Sequence, residues 1–238
     1  MIDPGVPLSG KTILVAEDDD VLREMLVMEF EMQGARVFEA SDGLAAFELI
    51  FREKVDGIEL LKRVKKVDYA IPLLMFITGF SDVSAADIFD LGADALLPKP
   101  FDLDDLVGTT ARMLKPKVIR WGDPADCDHS KRLMRMNFDS IHAASENHRI
   151  RLGRGGLFLG MDAGIPTRGM RVALDLSFSQ GELSSLQGCA TVKWNRHVPE
   201  DDLPPGCGLE FEHLNEQAAQ ELSSLIARLR LVPYIPKS

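Results

Sequence analysis

The sequence predicts two domains of different class: an α/β doubly wound parallel sheet, then a small all-β barrel or sandwich with a C-terminal helix. Three observations carry this. Short apolar runs alternate with amphipathic stretches up to about residue 115. Beyond residue 130 the pattern changes to short alternating runs separated by turn residues, and one long amphipathic stretch follows near the end. With 238 residues and 45% hydrophobic content, the chain can build two cores.

In the first half, Ile13-Leu14-Val15-Ala16 reads as a buried strand that runs into Glu17, Asp18, Asp19 and Asp20. Acid at the carboxyl end of such a strand lies where open α/β sheets place their sites, and hard oxygen ligands suit Mg²⁺. Glu17 and Asp18 are assigned to the site, and Asp19 or Asp20 to the cap of the next helix. That helix, Val21 to Gly34, has Leu22, Met25, Leu26, Met28 and Phe30 at near-helical spacing. A strand follows at Ala35 to Ala40, then helices over LAAFELIFREK and GIELLKRVKK. After these come the strand Pro72 to Gly79, a helix around VSAADIFDLG, the strand ALLP and the helix DLDDLVGTTARML.

Residues 1–10 read as an N-terminal tail and 116–130, with two prolines and a glycine, as a linker. RLMRMNFDSIHAA, HRIRL, GGLFLGM, MRVALDLSF, GCATVKW and CGLEFEHL predict about six strands of the second domain, 131–231. The helix Asn215 to Leu231 closes it, and 232–238 reads as a tail.

Charge bounds the partners. Residues 1–115 carry 12 Lys+Arg against 22 Asp+Glu, while 116–238 carry 15 of each, so the whole net charge of -10 belongs to the first half. This argues against DNA as a partner. In the second half Lys131, Arg132, Arg135, Arg149, Arg151 and Arg154 fall within 24 positions, a candidate anion site whose bland alternative is a solvated face. No apolar run approaches the ~18 residues of a membrane span, and the first residues lack the regions of a signal peptide. A cytoplasmic protein is expected. Cys127, Cys189 and Cys207 are too few and scattered for a disulfide framework, and Cys127 with His129 lacks a second pair at zinc spacing.

VAEDD, FITGF, LGAD and LPKPF occur in an order and spacing that resemble the receiver domain of two-component response regulators, a flavodoxin-like fold, over residues 11–115. The resemblance implies a phosphoryl group taken from a histidine kinase or phosphotransfer protein. It also implies Mg²⁺ held by Glu17 and Asp18, a hydroxyl from Thr78 and an ammonium from Lys99. Mg²⁺ and Lys would offset the charge of an acyl phosphate, and a hydroxyl can donate to one of its oxygens.

Two departures stand out. Arg52-Glu53-Lys54 runs directly into Val55-Asp56-Gly57, so the family's third strand and its phosphoacceptor Asp are not in the sequence; Asp56 matches a later loop acid. A strand and loop of about a dozen residues would be needed to restore them, and a bonded Lys54–Val55 junction requires Cα atoms ~3.8 Å apart. Leu96 stands where the family usually has an aromatic readout residue.

The start KRLMR, the segment GRGGLFLGM, VKW, GCGLEF and the closing helix resemble a PilZ domain, which implies cyclic di-GMP as ligand. The arm motif RxxxR maps onto Lys131 and Arg135, with Arg132 beside them. The strand motif (D/N)xSxxG maps onto Arg151, Gly153 and Gly156. Guanine's donors need an acceptor and Arg151 offers none, so weak or no binding is expected.

These readings predict a non-enzymatic cytoplasmic signalling protein of a phosphorelay, in which the receiver controls a PilZ-like output and a homodimer is allowed. Two alternatives stay open: a cyclic di-GMP receptor proper, and a scaffold that neither takes phosphate nor binds nucleotide.

Overall fold

The computed structural model describes residues 7–42, 45, 57–77, 84–116, 121, 132–200 and 203–237. It divides into two compact units, residues 1–79 with 95–114 and residues 80–94 with 115–238.

In the first unit, strand β1 (Thr12–Ala16) pairs in parallel with β2 (Arg36–Ala40), from Thr12 opposite Arg36 to Ala16 opposite Ala40. Helix α1 (Asp20–Met32) makes the crossover that a parallel pair requires. Its start is fixed by Asp19, which accepts from the N–H groups of Val21 and Leu22 at 3.0 Å. Gly34, at φ 82°, lies just past its end. Leu26 and Phe30 bury against Val15 and Leu106. Helix α2 (Gly57–Val67) buries Leu61 and Val64. Strand β3 (Leu74–Ile77) pairs in parallel with β4 (Ala95–Pro98).

Among the described residues β1–β2 and β3–β4 are separate two-stranded sheets. The LAAFELIFREK helix lies almost wholly outside the described residues, and the Lys54–Val55 junction and Asp56 lie wholly outside them.

Helix α3 (Ala85–Asp90) opens with a capping box in which Ser84 and Asp87 satisfy each other's backbone N–H. It belongs by its contacts to the second unit, whereas the motif reading gave all of 11–115 to one domain. Helix α4 (Leu103–Met113), capped by Asp102, returns to the first unit.

The second unit is a six-stranded sheet in the order β5-β8-β9-β10-β7-β6. Its strands are β5 (Leu133–Phe138), β6 (Ile150–Leu152), β7 (Gly156–Gly160), β8 (Arg171–Phe178), β9 (Ser185–Arg196) and β10 (Gly206–Leu214). All neighbours are antiparallel except β5 and β8. About six strands of a small barrel or sandwich were expected and six are present; among the described residues no ladder joins β5 to β6. RLMRMNFDSIHAA is not one strand either. Ser140 accepts from the Ala143 N–H at 3.0 Å and starts a short helix, α5 (Ile141–Glu146).

Helix α6 (Glu216–Leu229), capped by Asn215, lays Ala218, Ala219, Leu222, Leu225 and Ile226 into the core with Trp121 and Phe211. Residues beyond it do not trail as a tail: Tyr234 and Ile235 are 0% exposed. Cys189 is disulfide-bonded, which the cysteine count did not anticipate. Cys207 is free, and burial pushes its thiol up to about 12.

Candidate functional site

Glu17 directly follows β1 and Lys99 directly follows β4, so both leave the carboxyl ends of parallel strands. The Glu17 N–H donates to the Ala40 carbonyl at 3.1 Å, continuing the β1–β2 ladder by one residue. Lys99 Nζ donates to both Glu17 oxygens, at 2.9 and 2.7 Å. The Glu17 side chain is 5% exposed and that of Lys99 28%. A carboxylate so enclosed needs its counter-charge, and the charge-assisted pair supplies it. Asp18 is exposed and Asp19 is spent on the helix cap. Thr78 lies outside the described residues.

Arg23 is part of this site, and the motif reading missed it. Its Nη1 donates to the Glu17 carbonyl at 2.9 Å, Nη2 bonds Asp20, and Nε lies 3.4 Å from Glu39. The Asp20 hydrogen bond raises the Arg23 pKa above its ordinary value. Arg23 thus holds the turn between β1 and α1 and neutralises two carboxylates beside it. The signal in the sequence was an Arg three residues after Asp20, on the same helical face.

The residues fit a Mg²⁺ ion without making a closed metal cage. No group of three or more His, Cys, Asp or Glu that could hold a metal occurs among the described residues. Mg²⁺ commonly keeps several waters and takes one or two carboxylates. Asp18 is free to serve as one, and Glu17 would have to share its oxygens with Lys99.

Among the described residues, the basic residues of the second half are engaged separately. Arg135 Nε pairs with Asp175 at 2.6 Å, Arg149 with Asp162 at 2.8 Å, and Arg132 donates to the Gly164 carbonyl. Arg154 is 1% exposed, in a buried ion pair. Its Nη1 and Nη2 donate to Asp94 at 2.7 and 3.1 Å, Nη2 to the Gly92 carbonyl at 2.6 Å, and Nε to the Val232 carbonyl at 3.0 Å. Arg151 is exposed on β6, whereas Arg132 and Arg135 lie at β5, the other end of the strand order. Lys131 lies outside the described residues. Gly153 and Gly156 are buried, and a Cβ on either would strike backbone oxygen, at 2.3 Å and 1.9 Å.

The comparisons with known proteins say which family the Glu17–Lys99 edge sits in. Residues 13–111 match the response regulator receiver domain model. The response regulator receiver protein CpdR of Brucella abortus is 38% identical over 117 residues, which is 44% of this chain and 97% of that protein. Sporulation initiation phosphotransferase F of Bacillus subtilis is 28% identical over 46% of this chain and 98% of its own length. The Francisella response regulator 1452 receiver domain, a solved structure, is 27% identical over 44% of this chain and all of that one, with a TM-score of 0.39. Through residues 13–111 this chain belongs to the response regulator receiver family. It spans about half the length of other relatives it matches, such as the MprA regulator of Mycobacterium ulcerans at 54%.

Proposed function

We propose that the chain is a cytoplasmic, non-enzymatic signalling protein of a phosphorelay, in which the receiver governs the second unit as an interaction module. The observation that carries it is the enclosed Glu17 carboxylate gripped by Lys99 where β1 and β4 end. Glu17 and Asp18 would hold Mg²⁺, which offsets the charge of an acyl phosphate, while Lys99 would turn from Glu17 to a phosphoryl oxygen. The phosphoryl donor would be a histidine kinase or phosphotransfer protein. An exposed stripe on α1 supports a helical partner of that kind: Val21, Met25, Met28 and Met32 recur at i, i+4, i+7 and i+11 and are 78, 40, 61 and 64% exposed.

The second unit, PilZ-like in its motifs, is read as binding cyclic di-GMP weakly or not at all. Arg135 is engaged by Asp175, and the glycines at 153 and 156 face backbone. DNA is not proposed as a partner. No helix among the described residues is long and apolar enough to cross a membrane. A homodimer is compatible with this reading.

The test is exposure of the full chain to a small acyl-phosphate donor with Mg²⁺. A gain of about 80 Da would show that an Asp other than the family's acceptor, which the sequence lacks, takes the phosphoryl group, and that gain should be lost on Lys99→Ala. An unmodified mass would favour the scaffold reading, to which the absence of a central acceptor Asp already points. Calorimetry with cyclic di-GMP separates the remaining alternative, since sub-micromolar binding abolished by Lys131→Ala with Arg135→Ala would make the chain a dinucleotide receptor.

A further inference from the structure

Residues 232–237 run through a slot floored by glycine. A Cβ at Gly153 would come within 2.3 Å of the Tyr234 carbonyl oxygen, and one at Gly155 within 1.9 Å of the Tyr234 ring. A Cβ at Gly208 would meet Ile235 at 2.8 Å, and one at Gly156 at 3.0 Å. The segment attaches through backbone: the Arg154 N–H donates to the Pro233 carbonyl at 2.8 Å and the Gly155 N–H to that of Tyr234 at 3.0 Å. The Tyr234 hydroxyl, fully buried, donates to Glu210 Oε1 at 2.9 Å, and Lys193 pairs with the other oxygen of Glu210 at 2.8 Å. The two positions that answer the PilZ strand motif, Gly153 and Gly156, are therefore filled by the chain itself.

The same segment holds residues 84–94, which lie in the same unit. The Tyr234 N–H donates to the Phe89 carbonyl at 2.9 Å, and the two rings stack with centroids 6.1 Å apart. The Lys237 N–H donates to Asp90 at 3.0 Å and its Nζ pairs with Asp87. Arg154 joins both partners, reaching the Val232 carbonyl on one side and Asp94 and the Gly92 carbonyl on the other. In the chain, 84–94 is the later part of the connection between β3, which ends just before Thr78, and β4, which begins at the residue after Asp94 and ends just before Lys99.

We propose that 232–237 is a regulatory strap, an intramolecular ligand whose seating in the glycine slot fixes segment 84–94 and thereby links it to the state of the Glu17–Lys99 site. The linkage rests on the phosphoryl-site reading; the strap does not. Glu17 cannot give both oxygens fully to Lys99 and to a cation, so a cation at Glu17 competes with Lys99, which follows the end of β4. Linkage is reciprocal, so unseating the strap changes the affinity for the cation.

Amide hydrogen exchange on the full chain tests the strap. Tyr234→Ala and Gly155→Ala are expected to accelerate exchange of 84–94 at least tenfold while β8 and β9 keep their protection; unchanged exchange in 84–94 overturns the strap. Should either variant loosen the whole sheet, Lys237→Ala, which leaves the slot intact, decides: about threefold faster exchange is expected in 84–94 from a lost ion pair, and none overturns it. Mg²⁺ titration of intact chain and Tyr234→Ala tests the linkage. At least threefold tighter binding by the variant is expected, and equal or weaker binding overturns the linkage alone. If neither chain binds Mg²⁺, the site reading and the linkage fall together, and the exchange result still decides the strap.

Discussion

Lys99 and Glu17, 82 residues apart in sequence, meet as a two-pronged ion pair with both Nζ–O distances under 3.0 Å. The acid is the more enclosed partner. Truncation of the lysine therefore strands a desolvated carboxylate, and Lys99→Ala should cost about 2 kcal/mol. Urea unfolding is expected to show this loss without Mg²⁺ and a smaller one with it, because the cation takes over the neutralising role. An unchanged midpoint in both conditions would mean that Glu17 does not depend on Lys99.

Arg154 and Asp94 form a pair with side chains 1% and 4% exposed. Removing one charge leaves the other buried, so Arg154→Ala should destabilise by about 3–5 kcal/mol. The double change Arg154→Met with Asp94→Leu removes both charges and should recover most of that loss. Denaturant midpoints of the three chains measure the difference, and a double variant no better than the single one would show that the other hydrogen bonds of Arg154 matter more than its charge.

Asp87 gives a pH dependence. Partial burial pushes its carboxyl up, but hydrogen bonds from Lys237 and Ser84 outweigh this and leave it below its ordinary 3.8. A depressed acid contributes stability that is complete above the ordinary value and lost as pH falls through the lowered one. The advantage of the natural chain over Asp87→Asn should therefore be constant near neutrality and fade only below pH 3.8. Exchange protection of 84–94, compared between the two chains across acid pH, checks this; an advantage that fades between pH 6 and 5 would contradict it.

Met28 is 61% exposed at the centre of the α1 stripe. Its replacement by Glu touches no core and should change stability by less than about 0.5 kcal/mol. Phosphoryl transfer from a helical donor protein should slow at least tenfold, while labelling by a small acyl phosphate is unaffected. Equal slowing of both reactions would place the effect in the site rather than in docking.

The parts of the fold written in local chemistry were legible. A cap at Asp19 or Asp20, Glu17 after β1 and Lys99 after β4 follow from short motifs whose meaning does not depend on distant residues. Arg154 was not legible, because a run of basic residues ordinarily marks a solvated face and only a partner 60 residues away makes it a buried one. Tyr234 stood between two prolines with no periodicity around it, which reads as a loose end; its role depends on glycines about 80 residues earlier. Helix α5 was hidden because the alternation of Met134, Met136 and Phe138 carries the eye past Ser140, although a serine cap was there to be read.

The glycines under Tyr234 leave a mark that can be sought in other chains. A side chain at 153 or 155 cannot coexist with a seated strap, so proteins built this way should pair Gly-x-Gly before β7 with an aromatic residue beyond the last helix. Chains that carry a larger residue at either glycine should lack that aromatic residue, and their slot would be open to a ligand from outside.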